Sequence, residues 1–130
     1  MTARRVSAWL FALAAAGCSS PEPTAERLSL VSDRGLLAAD VSFAAPVARG
    51  NNELWVALTP LESEGEARLL AVDATMAAHA HVAHAEHIAS VGSTFEVQGL
   101  DLFMSGRWQL ELSLRISDAD DTLSFPVDVP

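Results

Sequence analysis

Residues 107–117 read RWQLELSLRIS, a segment in which polar residues alternate with the apolar residues Trp108, Leu110, Leu112, Leu114 and Ile116. Successive side chains of a β-strand point to opposite faces, so a period of two indicates a strand with one buried face and one solvated face. Antiparallel sheets commonly have this half-buried character. The segment therefore predicts an antiparallel sheet that covers one side of a core.

Six more segments have strand-like composition, and they are separated by turns rich in Gly, Asn and Asp. They comprise residues 28–32, 36–43, 53–59, 67–75, 94–98 and 123–129. About seven short strands at this spacing predict an all-β fold, a small immunoglobulin-like antiparallel β-sandwich. The Ala-rich residues 77–89 are the one place where a short helix is expected, because Ala is the best helix former.

The amino terminus has the features of an export signal. Arg4 and Arg5 precede an uncharged run, residues 6–16, which is too short to span a bilayer as a stable helix. Gly17-Cys18 then resembles a bacterial lipobox, although Ala15 stands where that motif usually has Leu. We expect residues 1–17 to be a lipoprotein signal peptide, preceding the sandwich, and Cys18 to be the lipidated first residue of the mature protein.

The segment that follows the lipobox indicates how the protein is held. Residues 18–26 contain Pro21 and Pro23 and are expected to form an extended tether, which leaves residues 27–130 as the folded domain. Ser19 follows the cysteine, where Asp would be the usual inner-membrane retention signal. The sequence thus predicts a lipid anchor in the cell envelope, at the periplasmic face of the outer membrane in preference to the inner membrane.

The charge of the mature chain limits its partners. Loss of Arg4 and Arg5 with the signal peptide changes the formal net charge from −9 to −11, and the chain contains no lysine. Nucleic acids and anionic lipids are bound through basic patches, so neither is an expected partner. A cationic partner, such as a metal ion, suits this charge.

All four histidines lie within nine positions, in the run 76–87, MAAHAHVAHAEH. In an extended backbone His79 and His81 point to the same side, whereas in a helix His84 and His87 share a face. Imidazole binds Zn, Cu and Ni, and a thioether such as that of Met76 shifts the preference towards Cu(I). The alternative interpretation is that these histidines are spacers in an exposed, Ala-rich loop.

Motifs for hydrolytic chemistry are absent from the sequence. There is no H-E-x-x-H, no G-x-S-x-G and no P-loop, and a single cysteine cannot form the P-C-x-x-C half of a deaminase site. The sequence therefore indicates a protein that is not an enzyme.

Four segments together resemble the YtkA-like domain family, which is related to the periplasmic FixH-like domains. They are Gly50-Asn51-Asn52-Glu53-Leu54, Met76-x-x-His79-x-His81, residues 95–100 (FEVQGL) and Met104-Ser105-Gly106-Arg107-Trp108. The family commonly has Pro after each methionine, where this chain has Ala77 and Ser105. The resemblance covers residues 28–129 and implies a small immunoglobulin-like sandwich.

The resemblance also implies a set of metal ligands and a function. Carried over by position, the ligands are Met76, His79, His81 and Met104, with His84 and His87 as weaker candidates; Met104 could alternatively fill the end of the core. The expected function is a non-enzymatic copper-binding lipoprotein that buffers the ion, as Cu(I) or Cu(II), or passes it to a copper-receiving or oxidase-assembly protein of the envelope. The alternative is a protein-binding or assembly module of the cell envelope whose His-rich loop has no function.

Overall fold

The computed structural model describes residues 27–62 and 64–130, and these residues form nine β-strands. The strands are β1 (Arg27–Val31), β2 (Leu37–Phe43), β3 (Gly50–Pro60), β4 (Ala67–Met76), β5 (His81–His84), β6 (His87–Val91), β7 (Thr94–Leu102), β8 (Gly106–Ile116) and β9 (Ala119–Val129). Within these ranges the only helical element is one turn of 3₁₀ helix, Ala77–His79, so no helix there is long and apolar enough to cross a membrane. The predicted signal peptide, the tether and Cys18 lie outside the described residues.

The strands form two antiparallel sheets that pack face to face. One sheet has the order β1-β2-β3-β7-β6 and the other has the order β5-β4-β8-β9. If β2 is taken as strand A of an immunoglobulin domain, these orders correspond to A-B-E-D and C′-C-F-G, with β1 added at one edge. The predicted all-β sandwich is therefore confirmed, and its strand order is that of an immunoglobulin domain without the disulfide.

Strand β8 carries the centre of the core, as its sequence predicts. Trp108, Leu110, Leu112, Leu114 and Ile116 are all at most 2% exposed, and their polar neighbours face outwards. Strand β8 lies between β4 and β9, so both of its edges are paired. The inward residues pack with those of the opposite sheet in a single hydrophobic core.

The Ala-rich segment 77–89 is extended for most of its length, and the expectation of a helix there is wrong. It forms β5 and β6, two strands that the sequence analysis did not predict, which pair with the edges of β4 and β7. Helix propensity is worth only about 0.7 kcal/mol per residue among ordinary residues. Backbone pairing with two sheet edges and the burial of Ala83 and Ile88 against the core outweigh it.

Asp121 is a buried carboxylate that ties the two sheets together. It lies on β9, and it accepts hydrogen bonds from backbone N–H groups of the β1–β2 turn, at 2.9 Å from Arg34 and 3.4 Å from Leu36, as well as from Thr122 at 2.8 Å. Burial raises the pKa of Asp121, but these bonds and one from the Ser32 side chain outweigh burial, so its pKa lies below the ordinary value of 3.8. The carboxylate thus stabilises the contact in its charged form.

We predict that Asp121→Asn lowers the free energy of unfolding at pH 7 by about 1–3 kcal/mol, because an amide cannot accept all of these bonds. A depressed folded-state pKa contributes stability above the ordinary pKa, and this contribution is lost as the pH falls through the folded-state value. The difference between the two proteins should therefore shrink below pH 3.8. Urea unfolding at pH 7 and pH 3 measures it, and a difference that stays constant or grows on acidification would contradict this role.

Candidate metal site

Met76 and His81 are neighbours across the β4–β5 hairpin. They form the last cross-strand pair before the turn, and the next inward pair is Ala74 with Ala83. Met76, Ala74 and Ala83 are buried and His81 is half-buried, so this face of the hairpin looks towards the core. His81 therefore lies at the end of the sandwich, on the same face of the hairpin as the buried Met76.

A tight turn brings the exposed His79 back towards His81. The 3₁₀ turn ends at Ala80, whose backbone is left-handed at φ 51° and ψ 31° and whose N–H donates to the carbonyl oxygen of Ala77 at 3.4 Å. The rings of His79 and His81 are stacked with their centres 5.9 Å apart and their planes 28° apart. The sequence analysis expected these two histidines to be close because of an extended backbone, whereas the structure joins them through a turn.

The distance between the centres of these two rings is compatible with one shared metal ion. An ion about 2.0–2.1 Å from one nitrogen of each ring would put the ring centres about 5–6.5 Å apart, for angles at the ion from tetrahedral to linear. The observed separation of 5.9 Å lies within this range. Two imidazoles with a neighbouring thioether make a donor set that suits copper.

The loop between β7 and β8 lies against the hairpin and is held by two hydrogen bonds that involve side chains. The Trp108 indole N–H donates to the Met104 carbonyl oxygen at 2.9 Å, and the Ser105 hydroxyl donates to the Pro130 carbonyl oxygen at 2.8 Å. A side chain at Gly106 would have its Cβ 3.1 Å from Met76 Cε, so the methionine methyl fills the space beside this glycine. Met76 therefore lies beside the first residue of β8.

Two aromatic residues connect the histidines to the core. The Phe103 ring packs edge-to-face on His81, with centres 5.2 Å apart, and edge-to-face on Trp108, with centres 5.3 Å apart. Sequence analysis did not select Phe103. The available signal was its position, because it is an additional apolar residue directly after the regular inward Leu100 and Leu102 of β7.

Met104 is half-buried and packs against the core, and its backbone oxygen holds the Trp108 indole. This packing is what the alternative interpretation of Met104 as a core residue expects. Its role as a ligand stays a prediction.

His84 and His87 do not share a face. His84 points outwards from β5, where its Nδ1 lies 2.5 Å from Asp73 Oδ1, and its side chain is 70% exposed. His87 points outwards from β6 in the other sheet, opposite Gln98. The helical arrangement that would have paired these histidines is wrong, and among residues 27–62 and 64–130 no three His, Cys, Asp or Glu side chains are grouped closely enough to hold a metal ion.

The turn geometry yields a prediction for Ala80. A left-handed backbone costs an L-residue roughly 1–2 kcal/mol, whereas glycine adopts it freely. Ala80→Gly should therefore raise the free energy of unfolding, by up to about 1 kcal/mol, while Ala78→Gly in the same turn should lower it. Denaturant unfolding of both variants checks this, and equal effects would show that the turn is not held in the left-handed form.

No family model, no curated protein and no solved structure with which this chain was compared matches it.

Proposed function

We propose that this protein is a non-enzymatic, membrane-anchored copper-binding lipoprotein of the cell envelope that buffers copper or delivers it to another protein. The observation that carries the proposal is the pairing of the His79 and His81 rings, whose centres are 5.9 Å apart, with the buried Met76 opposite His81 in the β4–β5 hairpin. Imidazole and thioether are the two neutral ligands that together favour copper over Mg or Ca.

The position of the pair supports transfer of the ion. His79 is exposed and His81 is half-buried, so an ion bound between them is accessible from solvent. A carrier needs such access because the ion must pass to a second protein. The resemblance to the YtkA-like family points to the same histidines and to Met76 and Met104.

Charge supports a cationic cargo. The chain without residues 1–17 has a formal net charge of −11 and no lysine, so its field attracts cations and repels nucleic acid. The anchor in this proposal is an acylated Cys18 followed by the tether 18–26, which holds the domain at the periplasmic face of the outer membrane. The receiving partner would be a copper-accepting or oxidase-assembly protein of the envelope.

The copper proposal is tested by titrating the full chain, in detergent, with Cu(I) in the presence of a competing chelator, and then with Cu(II) and Zn(II). The Cys18→Ser background removes a thiol that would compete for Cu(I). We expect about one equivalent of copper per chain, and a loss of at least about tenfold in affinity when His79→Ala and His81→Ala are combined.

The matched control is the double variant His84→Ala with His87→Ala, which removes two imidazoles that point away from the site. Its copper affinity should equal that of the parent. If copper does not bind, or if the control loses as much affinity as the test variant, the copper proposal is wrong. The envelope-assembly function would then be the one to pursue.

The anchor is tested separately by growing cells with a radiolabelled fatty acid. We expect label on the parent chain and none on Cys18→Ser, because the thiol is the acylation site in this proposal. Label that survives the substitution, or a parent chain without label, would contradict lipidation at Cys18.

A further inference from the structure

We propose that Phe103 is the positioning residue of the histidine pair and that it makes the site bind Cu(I) in preference to Cu(II). This inference deepens the copper-binding function proposed above and rests on it. Phe103 contacts the metal ligand His81 and is not itself a ligand.

Phe103 is supported from within the core. Its ring packs on Trp108, which is fully buried and whose indole N–H is bonded to the Met104 carbonyl oxygen at 2.9 Å. The Trp108 ring can therefore not move aside without breaking this part-buried hydrogen bond. Phe103 in turn restricts the movement of the His81 ring, which it contacts edge-to-face with the ring centres 5.2 Å apart.

The contact with Phe103 also restricts the orientation of the His81 ring. A half-buried imidazole at the start of an edge strand has several rotamers open to it, and an aromatic neighbour favours the one that allows edge-to-face packing. In the observed arrangement the centre of the same His81 ring also lies 5.9 Å from that of the His79 ring. Phe103 thus favours the ring position in which the two imidazoles are close.

The contact between Phe103 and His81 also affects which oxidation state of copper the site prefers. Cu(II) prefers tetragonal coordination by several nitrogen and oxygen ligands, whereas Cu(I) is satisfied by few and softer ligands. The Phe103 side chain is 42% exposed, and where its ring packs against the His81 imidazole it excludes water from that contact. Apolar surroundings of this kind control the solvent access and the redox potential of a metal centre.

The experiment compares Phe103→Ala, Phe103→Tyr and the Cys18→Ser parent by measuring Cu(I) affinity, Cu(II) affinity and the reduction potential of bound copper. We expect Phe103→Ala to lower the ratio of Cu(I) to Cu(II) affinity by about tenfold. This change corresponds to a fall in potential of about 59 mV for a one-electron couple. Phe103→Tyr keeps the ring and should keep the ratio within about threefold of the parent.

The matched control is Val82→Ala, an exposed apolar residue on the outer face of the same hairpin, which is 51% exposed. Its ratio and potential should equal those of the parent. A loss of stability alone would lower the affinities for Cu(I) and Cu(II) together and leave their ratio unchanged. The ratio therefore distinguishes a positioning role of Phe103 from an effect on folding. Thermal unfolding of each variant verifies that the domain is intact.

Three results would overturn the inference. The first is a Phe103→Ala variant with the same ratio of Cu(I) to Cu(II) affinity as the parent. The second is a Val82→Ala variant whose ratio changes as much as that of Phe103→Ala. The third is a Phe103→Tyr variant whose ratio falls as far as that of Phe103→Ala. In these cases the parent still binds copper, and the proposed function stands without the role of Phe103. A parent chain that binds no copper would overturn both proposals.

Discussion

The hydrogen bond from the Trp108 indole to the Met104 carbonyl oxygen is the interaction on which the candidate site depends. The alternation of β8 turns Trp108 into the core, where it is fully buried, and its N–H must find an acceptor there. A buried donor left without a partner costs about 1–3 kcal/mol, so the β7–β8 loop is held where the Met104 oxygen lies 2.9 Å away. That loop carries Phe103, which contacts His81. The core and the histidines are therefore mechanically connected.

The topology explains why these pieces meet at one end of the sandwich. Strands β4 and β8 are antiparallel neighbours, with Thr75 opposite Gln109, so the turn after β4 and the loop before β8 emerge side by side. The first holds His79 and the second holds Phe103 and Met104. Asp121 lies on β9 opposite Leu114, near the other end of β8, where it holds the β1–β2 turn against β9. One end of the domain thus contains the buried Asp121 carboxylate, and the other end contains the histidine pair.

Much of the fold was predictable because it depends on one strong pattern. The alternation in β8 and the weaker versions of it in β3, β7 and β9 specify buried faces by side-chain chemistry alone. Strands β5 and β6 were not predictable in this way, because their Ala and His residues favour no face and their extended form comes from pairing with the edges of β4 and β7. The same cause explains the error at His84 and His87, whose directions follow from that pairing. The position of Phe103 marks it only as an additional apolar residue, and its role was not predictable because it arises from contacts with residues five and twenty-two positions away.

His79 and His81 act as a pair in the proposed copper site, while the other two histidines do not. Nuclear magnetic resonance can show which histidines bind the ion. The ring nitrogens are observed in the ¹⁵N-labelled Cys18→Ser chain, with and without one equivalent of Cu(I). We expect a large change in the chemical shift of one ring nitrogen in both His79 and His81. His84 should remain bonded to Asp73, and the chemical shifts of His87 should not change. Equal shifts in all four histidines, or shifts confined to His84 and His87, would contradict it.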